Sequence, residues 1–150
     1  MSEMEDLYQE LIVDHSKHPR NFGELEGSDH QATGYNPLCG DKVTVYIRLE
    51  NGTVAEVQFQ GVGCAISTAS ASLMTDQLKG KTPEEVEALF EEFHGLVTEG
   101  REDSDALERL GKLRVFSGVK DYPIRVKCAT LAWHTLRAAL RGEDPDISVE

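Results

Sequence analysis

The stretch "VTVYIRLENGTVAEVQFQ", Val43 to Gln60, decides how the rest of the chain is read. Apolar and polar residues alternate on both sides of Asn51-Gly52. Val43, Val45, Ile47 and Leu49 stand against Thr44, Tyr46 and Arg48; Ala55, Val57 and Phe59 stand against Glu56, Gln58 and Gln60. A period of two turns one face to a core and the other to water. Asn-Gly accepts the positive φ angles of the two-residue turn whose twist matches paired strands. The pattern predicts an antiparallel hairpin near 43–60. "QATGY" (Gln31–Tyr35), just ahead of it, reads as a third strand.

Outward from the sheet the chain turns helical. Glu3 to Ser16 reads as a helix with Leu7, Leu11 and Ile12 on one stripe, stopped at His18-Pro19. After Cys64, "AISTASASLMTDQLKG" is rich in small residues. Ile66, Leu73 and Leu78 give it a narrow apolar stripe, and Gly80 closes it. Thr82-Pro83-Glu84-Glu85 starts another helix: Thr caps, Pro takes the first position and Glu stands three after the cap. Val86, Leu89, Phe90 and Phe93 form its apolar face. The stretch from His94 to Gly118 reads as less regular, with a short helix near Ser104–Leu110. A last helix runs from Pro123 to Arg141, closed by Gly142. Helix, hairpin sheet and then helices make an α+β fold, a small antiparallel three-stranded sheet packed against several helices. Residues 1–150 read as one domain, since 150 residues suit a single core.

Composition excludes several classes of function. No apolar run is long enough to span a bilayer, and the acidic start "MSEMEDLYQE" lacks the basic-then-apolar pattern of a secretion signal. A cytoplasmic protein that meets no membrane is expected. A net charge of −12 repels phosphate backbones, so nucleic acid is not an expected partner. From Glu84 to Glu108 every Lys, Arg, Asp or Glu side chain is acidic except Arg101. That run reads as a solvated helix face or as a docking surface for a basic partner.

There are three cysteines, Cys39, Cys64 and Cys128, and an odd number in a cytoplasmic protein argues against a disulfide framework. Cys39 precedes the first hairpin strand, in a turn made by Pro37 and Gly40. Cys64 follows the second hairpin strand, after Gly61-Val62-Gly63. Antiparallel neighbours bring the start of one strand beside the end of the other, so Cys39 and Cys64 are expected at the same end of the sheet. Asp41, two residues after Cys39, points to the same side in an extended chain. The glycines permit close backbone approach, and they also serve ordinary turns. Cys128 lies in the first turns of the last helix, near Arg125 and Lys127. Alone it reads as a small core residue. Together, three thiolates and a carboxylate suit a tetrahedral zinc ion or an iron–sulfur cluster. The zinc site would carry a negative formal charge for Arg125 and Lys127 to offset. His15, His18, His30, His94 and His134 read as surface or helix-end residues, and Trp133 as packing.

The motifs around these cysteines are recognisable. "NPLCGD" (Asn36–Asp41), "GVGCAIS" (Gly61–Ser67) and "IRVKCATLAW" (Ile124–Trp133) resemble the three cysteine motifs of the IscU-like iron–sulfur assembly proteins. "LYQELIVDHSKHPRNFG" (Leu7–Gly23) resembles that family's N-terminal segment. Three details resemble the SufU branch. Lys127 stands where scaffold members carry a histidine. "FSGVKDYPIRVKC" (Phe116–Cys128) lacks their Leu-Pro-Pro-Val-Lys chaperone motif. The segment from His94 to Gly118 is similar to the branch's insertion.

The resemblance implies a zinc-bound sulfur acceptor working with a pyridoxal-phosphate cysteine desulfurase of the SufS type. It also implies downstream iron–sulfur assembly proteins as recipients. By match to the motifs, Cys39, Asp41, Cys64 and Cys128 are the zinc ligands. Cys39, in its turn, is the expected sulfur acceptor, because a turn cysteine swings out more cheaply than one in a helix. Asp41 would tune how readily the site opens. Such a protein is a sulfurtransferase-type acceptor rather than a stand-alone catalyst. Two alternatives stay open: a scaffold carrying a transient iron–sulfur cluster, and a binding module whose zinc is purely structural.

Overall fold

The computed structural model describes residues 3–38, 40–101, 103–142 and 147–148, with backbone alone at 3–6 and 147–148. Elements follow in the order α1 (Glu3–Lys17), β1 (His30–Asn36), β2 (Asp41–Glu50), β3 (Thr53–Val62), α2 (Ala65–Leu78), α3 (Pro83–Glu99) and α4 (Ser104–Leu110). A 3-10 segment (Gly111–Asp121), α5 (Pro123–Leu140) and β4 (Ile147–Ser148) complete it. The three expected strands form the antiparallel sheet, and the two-residue β4 adds to the outer edge of β1 in parallel, giving the order β3-β2-β1-β4.

The hairpin forms where the alternation places it. Asn51 and Gly52 take φ of 55° and 79°, the left-handed region the two-residue turn requires. Val43, Val45, Ile47, Val57 and Phe59 are buried, but Val54 is buried where Ala55 was expected. The reason is a bulge. Arg48 pairs with Glu56 and Leu49 with Val54, so Ala55 has no partner and strict alternation breaks there.

α5 lies across β1 and β2, with α2 beside it. Small residues allow the approach. Gly34 of β1 lies so near α5 that a Cβ would fall 2.1 Å from Thr135 Oγ1, and Ser70 Oγ donates to the Ala129 carbonyl at 2.6 Å. α2 is buried nearly all round, from Ser67 to Thr75, rather than on the narrow stripe its large residues suggest. On α1, Leu11 and Ile12 pack against the core, whereas Leu7 is 60% exposed and leaves the expected stripe.

α3 begins with the expected capping box: Glu85 N–H donates to Thr82 Oγ1 at 3.2 Å, and Thr82 N–H to Glu85 Oε1 at 3.0 Å. It continues to Glu99, beyond the irregular start expected at His94. Leu96 and Val97 are fully buried, and Gly100, at φ 70°, ends the helix. Phe93 stacks on Trp133 at 4.6 Å between centroids and meets Phe116 edge-on at 5.9 Å. This aromatic cluster joins α3, α5 and the 3-10 segment.

Candidate metal centre

The site is built at the end of the sheet away from Asn51-Gly52. Lys42 faces Val62 across the β2–β3 ladder, so the start of β2 and the exit of β3 are neighbours. Gly61 makes that junction possible. At φ 152°, a Cβ there would sit 2.0 Å from the Lys42 carbonyl oxygen, which a larger residue cannot do. Val62 and Gly63 then lead into Cys64, the N-cap of α2.

Asp41 is the first residue of β2, paired with Asn36 of β1, and is 3% exposed. Its Oδ1 accepts from the Cys64 backbone N–H at 3.0 Å, and Oδ2 lies 3.7 Å from Cys64 Sγ. Cys64 Sγ also accepts from the Ser67 N–H at 3.4 Å, as a capping oxygen would. Cys128 enters from α5, 4% exposed, and Asn36 Nδ2 donates to its Sγ at 3.9 Å. The donor atoms of Asp41, Cys64 and Cys128 all lie within 4.8 Å of one another. Three separate elements thus converge on one spot. Cys39, the remaining expected ligand, lies outside the described residues.

The donor set fits a borderline-soft divalent ion. Two sulfurs and a carboxylate oxygen are the ligand types zinc takes, and bonds of about 2.0–2.3 Å space tetrahedral ligand atoms roughly 3.3–3.8 Å apart. The 3.7 Å between Asp41 and Cys64 is already in that range. A buried carboxylate with thiols on either side is unfavourable when all are ionised, and a cation among them offsets that repulsion.

The expected basic neighbours are on α5, where the exposed Arg125 lies over the Tyr122 ring at 4.5 Å. Exposed apolar side chains surround the same end: Leu38 at 64%, Val62 at 73% and Ile124 at 61%.

Two histidines differ from the surface role expected of them. His15 is 1% exposed, and its Nδ1 is 2.7 Å from Ser72 Oγ, which also accepts from the Arg20 N–H at 2.8 Å. Burial, and then Arg20, holds its pKa below the ordinary imidazole value. Ser72 of α2 is the inward partner of His15, and a hydrophobic stripe does not reveal such a pairing. His134 packs edge-on against Phe90 at 5.3 Å and near His94 at 5.9 Å. Burial pushes it down to about 4, with Arg137 and His94 adding to the shift. Neither histidine belongs to the Asp41–Cys64–Cys128 group.

Asn36 is the site residue that reading the sequence passes over. It sits in the quoted turn, where asparagine is expected for backbone reasons alone. Its only distinguishing signal is complete burial, which no local pattern carries.

A fold of this order, with three donors gathered at one sheet end, has known relatives. The family model described as NifU-like N terminal domain matches residues 7–141. The chain belongs to this family, whose members include iron–sulfur cluster assembly proteins of the IscU and SufU kinds. It is 38% identical over 141 residues to the zinc-dependent sulfurtransferase SufU of Bacillus subtilis, covering 94% of both chains. It is also 38% identical to the iron–sulfur cluster assembly scaffold protein IscU of Streptococcus pyogenes, covering 94% of this chain and 87% of that one. A solved structure from Fervidobacterium islandicum, described as a SUF-system assembly scaffold, superposes with a TM-score of 0.82. It is 38% identical, and the match covers 93% of this chain and 99% of that one. The α+β fold expected from the hairpin is therefore the fold of these relatives. No helix among the described residues is long and apolar enough to cross a membrane.

Proposed function

We propose that the chain is a zinc-dependent sulfur acceptor that takes persulfide sulfur from a cysteine desulfurase for iron–sulfur cluster assembly. The observation that supports this best is the convergence of Asp41, Cys64 and Cys128 donor atoms within 4.8 Å, beside the turn that carries Cys39 in sequence. Zinc bound by these four residues keeps its thiolate ligands deprotonated and resistant to oxidation. Asp41 holds the start of α2 through the Cys64 N–H, so its carboxylate fixes the place of that thiol.

In this reading Cys39 is the acceptor. Its thiolate attacks the outer sulfur of a persulfide on the desulfurase. A new sulfur–sulfur bond forms at Cys39, the old one breaks, and the desulfurase cysteine leaves as a thiolate. No oxidant is consumed, because the transferred sulfur carries its oxidation level with it. The partner is a pyridoxal-phosphate enzyme of the SufS type, and the sulfur passes on to downstream assembly proteins. Leu38, exposed next to Cys39 in sequence, gives such a partner an apolar foothold.

Lys127 favours this reading over the scaffold one, for which the names of several relatives are the argument. The decisive experiment is metal and sulfide content of anaerobically purified protein, followed by sulfur transfer to Cys39→Ala. Zinc near one per chain, no labile sulfide, and a Cys39→Ala protein that no longer accepts sulfur are expected. Iron with matching sulfide overturns the reading in favour of a scaffold. Unimpaired stimulation of the desulfurase by Cys39→Ala overturns it in favour of a structural-zinc module.

A further inference from the structure

We infer that Asn36 is a positioning residue of the metal centre, joining the cysteine-bearing turn to Cys128. It rests on the zinc reading above and concerns a side chain that is not itself a ligand.

Among the described residues, three bonds meet at Asn36. Its backbone carbonyl accepts from the Gly40 N–H at 2.9 Å. Its side-chain Oδ1 accepts from the Leu38 N–H at 3.2 Å, and its Nδ2 donates to Cys128 Sγ at 3.9 Å. Leu38 and Gly40 flank Cys39 in sequence, so Asn36 binds the backbone on both sides of the expected acceptor. Its strand partner is Asp41. The side chain is completely buried, where an amide with an unsatisfied end is costly.

The chemistry of the two ends differs, and this assigns the role. The carbonyl end satisfies a turn N–H, which serine or aspartate would also do. The amide end points a donor at sulfur, which neither aspartate nor an apolar residue would do. An N–H aimed at a thiolate offsets part of its charge and orients its lone pairs, as polar groups behind metal ligands commonly do. Asn36 therefore sets two distances together: that of the 37–40 turn from the sheet, and that of Cys128 from the turn. Turn chemistry alone explains the asparagine's oxygen but not its buried nitrogen 3.9 Å from a cysteine 92 positions away.

Asn36→Asp and Asn36→Ala separate the two ends. Aspartate has the same shape, keeps the acceptor for the Leu38 N–H, and replaces the donor with an anion facing Cys128. Alanine removes both. Zinc affinity by chelator competition, the thiolate-to-cobalt band of the cobalt-loaded protein, and hydrogen exchange at Leu38 and Gly40 are the readouts. For Asn36→Asp the expected result is roughly 10–100-fold weaker zinc binding and a shifted cobalt band, with Leu38 exchange still slow. For Asn36→Ala, Leu38 exchange accelerates as well. Should alanine fail to fold, the isosteric aspartate still decides the matter, its fold checked by far-ultraviolet circular dichroism. An Asn36→Asp protein with wild-type zinc affinity and cobalt spectrum overturns the inference while leaving the zinc reading intact. A wild-type protein that binds no zinc overturns both.

Discussion

The middle of α5 and its N-terminal part use burial in opposite ways. Near its middle, Trp133 is fully buried between Phe93 and Phe90, and Leu131 and Leu136 are equally closed off. That region is held by apolar area and ring packing; the Trp133 Nε1 has no hydrogen-bond partner among the described residues. Toward its N-terminal end, Cys128 is as buried as many core residues, yet its neighbours are Asp41 and Asn36. The aromatic region is complete as it stands. The sheet end gathers a carboxylate and two thiols that could hold a metal ion between them. One region is packed apolar surface; the other brings polar donors from three elements together.

This contrast can be broken most directly at Trp133. Trp133→Ala is expected to cost about 3–5 kcal/mol, the range for deleting a large buried aromatic. Trp133→Phe should cost clearly less, since the indole N–H makes no bond among the described residues that would be lost. Urea unfolding of the two variants checks both. Equal losses would mean that the aromatic end also depends on a polar contact, and the contrast would fail.

Gly61 tests the other end. Gly61→Ala forces a Cβ against the Lys42 carbonyl, and relief requires the β2–β3 junction to part. A loss of roughly 1–3 kcal/mol is expected from such overpacking, together with weakened zinc binding, because Asp41 and Cys64 are carried by the two sides of that junction. Isothermal titration with zinc, alongside unfolding, measures the two effects. Lost stability with unchanged zinc affinity would show that the sheet end is not one coupled unit.

A further expected effect is one of pH, at the aromatic cluster. His134 is kept neutral by burial, with a pKa of about 4 against 6.5 for the free side chain. The unfolded chain takes up that proton first. The contribution of His134 is therefore fully present above about 6.5, declines as pH falls toward about 4, and is flat below. His15, also lowered, adds to the same slope from the α1–α2 contact. Urea midpoints across this range should fall with decreasing pH in the wild type and fall less in His134→Gln. Identical slopes would remove His134 from the account.

The three long strands, the helix starts and the motif residues are legible in the sequence alone. These are local facts: an alternation of period two, an Asn-Gly turn, a capping box at Thr82 and three cysteines at the edges of elements. From the hairpin alone it followed that the entry to β2 and the exit of β3 share one end, and the pairing of Lys42 with Val62 bears this out. The features that sequence does not carry depend on residues far apart in the chain. The bulge at Ala55 moved burial to Val54, because register depends on the partner strand. His15 went inward because Ser72, 57 positions away, offers it a hydrogen bond. α3 ran on past His94 because Phe93, Leu96 and Val97 found a core to enter. Asn36 gained a role beyond its turn because α5 brings Cys128 to its amide. Local patterns report what a backbone favours; which buried polar groups meet is settled by packing, because partners such as Asn36 and Cys128 lie far apart in the chain and leaving one unpaired is costly.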